Sequence, residues 1–264
     1  GSIAPGRSAD ILFVDDLKNF HARMVIARGV VSAQEGKVLV QIPPYPYPAW
    51  ATNSVKITRK LIPIDFILKA PVQAGKVNVN VIGIIENQAP TRHLHMDVLA
   101  QEGELRVDIR RDLAKIALVE RHHGTGNVQV AFVSGYGFSA PCAIASTVAH
   151  DSHHIIIVGT DEACMAMAAN RLAETGGGQV VVRDGNIIGE VQLPIAGLMS
   201  NERADVVASK TASVLEGFKT CGCELNNPNM QLSLLGLVVI PELRISDKGL
   251  VDVTRFEIIP VVET

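Results

Sequence analysis

The chain has 264 residues and 28.3 kDa, enough for one large domain or two ordinary ones; it is 47% hydrophobic and 19% charged, with a formal net charge of −3. High apolar content with low net charge excludes a mainly disordered chain, and the absence of a basic excess argues against a nucleic-acid partner. Four cysteines are too few for a disulfide scaffold, so a reducing, cytoplasmic setting is the simplest reading. The nearly uncharged stretch 124–151 is broken by Gly124, Gly126, Gly135, Gly137 and Pro141 and holds Asn127 and Gln129, so no membrane span is expected there. The chain opens Gly1-Ser2-Ile3-Ala4-Pro5-Gly6-Arg7, with neither Met nor a signal-peptide pattern, and is expected to be a piece of a larger protein.

Residues 9–14 form a short apolar run bounded by Gly6 and Asp15-Asp16. Residues 24–27 and 30–33 flank Arg28-Gly29, where Gly29 supplies the positive φ of a tight turn; Glu35-Gly36 repeats the signal before 38–42. Three or four short strands of this kind predict an antiparallel sheet too small to close a sandwich alone. Four prolines in residues 43–50 predict an extended connector, with Tyr45, Tyr47 and Trp50 expected to anchor it on a surface.

Beyond the connector, strands are predicted at 77–85, 105–109, 114–120 and 128–133. Residues 155–159 (IIIVG) suit a buried central strand. A helix is predicted over 161–174, capped by Thr160 or Asp161 and stopped by Gly176-Gly177-Gly178. Residues 180–183 and 187–192 form a hairpin across Asp184-Gly185-Asn186. A second helix spans 201–219 with Ser200 as its cap, and 250–262 alternates as a terminal strand. This order predicts an α+β fold, mixed but mainly antiparallel. A complete β/α barrel would need about eight alternating helices, which are not present.

The densest polar cluster lies at 146–154, just before the strand at 155. Ser146, His150, Asp151, Ser152 and His153 stand where strand ends present functional groups, and histidine moves protons near neutral pH. His122 and His123 precede a polar turn, with proximity to the His150 segment left open. Gly135-Tyr136-Gly137-Phe138-Ser139 is expected to be flexible, with exposed aromatics able to fold over the same pocket. His93-Leu94-His95 has the spacing of a metal pair, but no second group of ligands stands at an evident spacing from it. Cys221-Gly222-Cys223 lacks a second half and reads as buried small residues after a helix.

Residues 1–12 (GSIAPGRSADIL) resemble the segment that follows the catalytic barrel in the amidohydrolase superfamily, where the chain returns to complete a small β-sandwich. Residues 120–127 (ERHHGTGN), 145–153 (ASTVAHDSH), 194–200 (PIAGLMS) and 241–250 (PELRISDKGL) resemble the bacterial adenine deaminases, in that family's order. The resemblance implies return strands of the sandwich and connector over 1–60 and an α+β domain over 61–264. It also implies the C-terminal part of an enzyme converting adenine and water to hypoxanthine and ammonia. Binuclear manganese or iron would sit in an upstream barrel, where a metal-activated hydroxide attacks C6 of the purine; no metal or catalytic residue is expected in this segment, which alone should be inactive. Implied partners are that barrel, adenine as substrate, and further copies in a homo-oligomer. Ser146, His150, Asp151, Ser152, His153, His122 and His123 are then candidates for a substrate pocket or lid reaching the barrel mouth. Two alternatives stand beside this reading: a non-enzymatic purine-binding or assembly module, and an independent metallohydrolase using His93, His95, His150 and His153.

Overall fold

A computed structural model describes residues 2–263, so Gly1 of the opening motif lies outside the described residues. The chain divides into two compact units, Gly1–Pro46 and Tyr47–Thr264.

In the first unit β1 (Ile11–Val14), β2 (Ala22–Ala27), β3 (Val30–Gln34) and β4 (Lys37–Val38) pair antiparallel in sequence order. Arg28-Gly29 and Glu35-Gly36 each place two successive residues at positive φ, the geometry whose twist matches flanking strands. The strand expected over 38–42 ends at Val38. No described residue of this unit is buried.

The second unit is built on a ten-stranded sheet. Its strands are β5 (Leu68–Lys69), β6 (Ala74–Ile84), β7 (Thr91–Gln101), β8 (Glu104–Leu105), β9 (Leu113–Val119), β10 (Val128–Ser134), β11 (Cys142–Ser146), β12 (Ile155–Gly159), β13 (Gly178–Arg183) and β14 (Asn186–Gln192). They lie in the order β14-β13-β11-β12-β9-β10-β6-β7-β8-β5, antiparallel except where β10 meets β6. The fold is thus mixed α+β and mainly antiparallel, with no closed barrel among the described residues. Among the described residues four α-helices accompany the strands: α1 (Ala49–Thr52), α2 (Glu162–Thr175), α3 (Ala204–Thr220) and α4 (Pro228–Leu234). A small sheet of β15 (Leu243–Ser246), β16 (Gly249–Asp252) and β17 (Glu257–Ile259) completes the unit.

Period-2 alternation sorts the central strands onto two faces. Ala117, Val119, Ile155 and Ile157 pack with Met165, Ala169 and Leu172 of α2. Ile116, Leu118, Ile156 and Val158 pack with Val214 and Phe218 of α3, Leu232 of α4 and Leu243 of β15. Because both faces are covered, β9 and β12 are buried throughout, which is why IIIVG has no polar alternation.

Several local expectations change. Strand 105–109 ends at Leu105, and a 3-10 turn over Ile109–Arg111 follows, in which the Asp108 carboxylate accepts from the Arg110 amide. The second long helix starts at Ala204, since Ser200 Oγ accepts from the Glu202 amide in a separate turn and Arg203 stands at the cap without a side-chain bond to the backbone of the first turn. The terminal strand is two strands, parted by a turn in which Asp252 accepts from the Arg255 amide. Strands β7, β11 and β15 complete sheets that the alternation signal left unmarked, and Trp50 stands in a helical turn rather than an extended connector.

Candidate functional site

The ladder register gathers the candidate site. Val119 at the end of β9 faces Val128 on β10 and Ile155 on β12. The connections 120–127 and 147–154 therefore leave the sheet at the same end. Gln179 faces Ser146, and Gly178 faces Gln192, so 193–199 emerges there too. Three polar segments far apart in sequence are thereby brought to one edge.

Glu120 organises the first of them. Its carboxylate accepts from the amides of His122 (2.5 Å), His123 (2.7 Å) and Thr125 (2.9 Å) and from the Thr125 hydroxyl (3.0 Å). Burial alone would raise its pKa, but these donors outweigh it and hold the carboxyl at about 2. The loop is thus preformed around a permanent anion.

Arg121 ties the segments together. Its guanidinium, 1% exposed, donates to the His153 carbonyl (2.5 Å), the Ser54 carbonyl (3.1 Å) and hydroxyl (3.2 Å), and the Ala196 carbonyl (3.0 Å). Gly197 lies against it: a Cβ there would stand 2.8 Å from a guanidinium nitrogen, and its φ of +71° suits glycine. Burial lowers the Arg121 pKa to about 10, leaving it charged at neutral pH.

The histidines form two adjoining pairs. His122 Nε2 donates to the Ser152 carbonyl at 2.6 Å, and its ring lies 4.8 Å from that of His154. His153 Nδ1 accepts from the Ala149 amide at 3.2 Å, so its ring proton sits on Nε2. His150 meets His153 edge-to-face at 5.4 Å. Burial lowers the pKa of both His153 and His154, with a further push from His150 and Arg121 on the former and from His122 on the latter. Both are neutral at pH 7 and suited to hydrogen bonding or proton transfer. Nδ1 of His154 is buried without a hydrogen-bond partner.

Of the predicted residues, His122, Ser152 and His153 come together, with His150 against His153. Asp151, Ser152 and His123 are exposed on the loop surface. Ser146 is 2% exposed, and its hydroxyl exchanges bonds with the Val148 backbone. Glu120 and Arg121 do the organising, although the cluster signal did not reach them, whereas His154 belongs to the 146–154 cluster and lies with its ring against His122. What marks the first two is a charged pair directly abutting an apolar strand, where burial demands partners.

Two expectations are corrected. Tyr136 and Phe138 are 1% and 3% exposed and stack at 5.0 Å. Their segment follows the far end of β10, about 20 Å from the histidine loops, so it does not fold over them. Asp112 fixes it by accepting from the Gly135 and Gly137 amides. Trp50 does not pack down as an anchor; it is 77% exposed.

His93 and His95 share a face of β7 with rings 4.6 Å apart. His93 bonds Asn80 Oδ1 at 2.7 Å, and His95 pairs with Glu263. Four strand spacings, about 19 Å, separate β7 from β12, so these histidines and His150 cannot share one ion. Among the described residues no three His, Cys, Asp or Glu side chains are placed to hold a metal. All four cysteines are buried free thiols, as the Cys-x-Cys reading expected.

The Adenine deaminase C-terminal domain family matches residues 88–257. The chain is 55% identical over 257 residues to an adenine deaminase of Mesorhizobium japonicum, covering 97% of this chain and 42% of that relative. It is 54% identical over 264 residues to one of Roseobacter denitrificans, all of this chain and 44% of that relative. It is also 45% identical over 262 residues to one of Moorella thermoacetica, 99% of this chain and 44% of that relative. The chain thus spans less than half the length of these curated relatives. The family match takes in more than half of the chain, including the loops at 120–127, 147–154 and 193–199 that the register draws together, and the chain belongs to the adenine deaminase C-terminal domain family.

Proposed function

We propose that this chain is the C-terminal part of an adenine deaminase, a hydrolase converting adenine and water to hypoxanthine and ammonia. The observation that carries this is similarity over 97–100% of this chain, and 42–44% of each relative, to proteins bearing that name, at 51–55% identity in the first seven relatives. The reacting centre belongs to an upstream barrel, with manganese or iron. Among the described residues the metal-ligating side chains do not converge on an ion.

The role of this chain is to present a rigid polar edge to that centre. Glu120 and Arg121 preform it, and His150, Asp151, Ser152 and His153 contact the purine or close its pocket against water. The barrel is also the partner proposed to cover the small sheet over 11–38, which buries none of its own described side chains. The reading includes a cytoplasmic, homo-oligomeric enzyme; free thiols support the reducing setting, and among the described residues no helix is long and apolar enough to cross a membrane.

The test is to replace His150 with Ala and Asp151 with Asn in the complete enzyme and to measure kcat and KM. A fall in kcat/KM of about tenfold or more is expected; unchanged kcat and KM in both variants refute the role. The 264-residue chain, supplied with manganese or ferrous iron, should form no hypoxanthine. Turnover at an enzyme-like rate overturns the assignment of catalysis to the barrel.

A further inference from the structure

Beside His122 the surface opens into a cavity of about 420 Å³, lined by Ala49, Trp50, Asn53, Ser54, Lys56 and His122. That volume falls within the range of small-molecule sites. Trp50 is the single tryptophan of the chain and leaves 77% of its surface in water, although it sits on an ordered turn of helix. Such a large exposed ring offers a stacking face. The His122 ring is fixed by its Nε2 bond to the Ser152 carbonyl, which leaves Nδ1 as an acceptor in the neutral imidazole.

The electrostatics of the cavity have one sign. Lys56 lines it, and its own backbone amide is fixed to the Arg121 carbonyl at 2.8 Å. Ser54, also in the lining, joins it to the buried Arg121 guanidinium, whose partners are carbonyls and one hydroxyl. Among the described residues no Asp or Glu lines the cavity. The neighbouring carboxylate, Glu120, is committed to four donors of its own loop. An aromatic face, a fixed acceptor and a cationic rim together select a planar base that carries a donor and an anionic group.

We propose that this cavity binds a purine nucleoside monophosphate, with the base stacked on Trp50, its exocyclic amine donating to His122 Nδ1 and its phosphate beside Lys56. A bicyclic base covers more of the indole than a pyrimidine does, and the phosphate uses the ammonium that a free base leaves idle. The inference goes beyond the proposed reaction, whose substrate carries no phosphate. It is read on the 264-residue chain without catalysis, so its failure and the failure of the deaminase reading are distinguishable.

The lone tryptophan provides the measurement. Titration with AMP should quench its fluorescence saturably, with a Kd of about 1 mM or tighter. Adenine and UMP should each bind about tenfold more weakly, and inorganic phosphate should leave the emission unchanged. Lys56→Met, at an exposed position, should weaken AMP about tenfold and leave adenine as it was. His122→Asn should reduce the preference for AMP over UMP. Calorimetry, which does not need the indole signal, should show AMP binding lost in Trp50→Ala. The proposal is overturned if AMP gives no saturable change, if adenine binds as tightly as AMP, or if Lys56→Met or Trp50→Ala binds AMP like the parent chain.

Discussion

Glu120 and Arg121 are adjacent and oppositely charged, yet each spends its charge on backbone rather than on the other. The carboxylate gathers amides of its own turn, and the guanidinium gathers carbonyls of three other segments. Because the folded pKa of Glu120 lies below its ordinary value of 4.5, its contribution is complete above pH 4.5 and is lost as pH falls through about 2. Glu120→Gln should therefore cost about 2 kcal/mol at pH 7 in urea unfolding, with the gap to the parent chain narrowing as pH drops from 4.5 toward 2. An equal gap at pH 7 and pH 2.5 would contradict this account. Arg121→Lys keeps the charge but loses the planar fork, stranding carbonyls of Ser54, His153 or Ala196 without a donor. A loss of about 2 kcal/mol is expected from the same measurement, and a lysine variant as stable as the parent would show that charge alone suffices.

At the scale of elements, caps and close approaches decide what the helices and strands do. Asp161 caps α2, accepting from the Cys164 amide at 2.7 Å, whereas Arg203 at the start of α3 supplies no side-chain bond to the helix backbone. The two positions should respond in opposite directions: Asp161→Ala lowering stability by about 1 kcal/mol and Arg203→Ser raising it by up to about 1 kcal/mol. The exposed Arg203–Asp205 pair lost in the second variant contributes little. Thermal melts of both variants check the pair of signs. Gly178 opens β13 at φ +144°, where a Cβ would stand 2.1 Å from the Val191 carbonyl oxygen. Backbone on both sides prevents relief, so Gly178→Ala should cost more than about 3 kcal/mol or abolish folding. Retention of the parent melting temperature would mean that β14 yields more readily than its ladder suggests.

At the scale of the whole molecule the two units differ in how they hold together. Every described core cluster lies within the second unit, between Leu61 and Leu250, while the first unit buries no described side chain. A chain of residues 47–264 should accordingly melt within about 3 °C of the 264-residue chain, and residues 1–46 alone should give the narrow amide dispersion of an unfolded peptide. A well-dispersed spectrum from the isolated 46 residues would refute the second half of that expectation.

Sequence alone determined what depends on neighbours along the chain. The tight turns at Arg28-Gly29 and Glu35-Gly36, the buried strand at 155–159, the α2 cap and its glycine stop, and the hairpin of 180–183 with 187–192 are all local signals, and all are present. The four blocks resembling adenine deaminases were also readable, because identity of residues in order needs no geometry. Tertiary structure decided the rest. Ser200 does not open α3 because its hydroxyl closes a separate turn at Glu202, and β7, β11 and β15 are strands by pairing with β6, β12 and β16, their neighbours along the chain, inside sheets whose packing buries them. Histidines at 93, 95, 122, 150 and 153 look alike in a sequence. Ladder register set His93 and His95 four strands away and drew His122, His153 and His154 to one sheet end, because a strand's neighbours are fixed by pairing across the sheet and not by proximity along the chain.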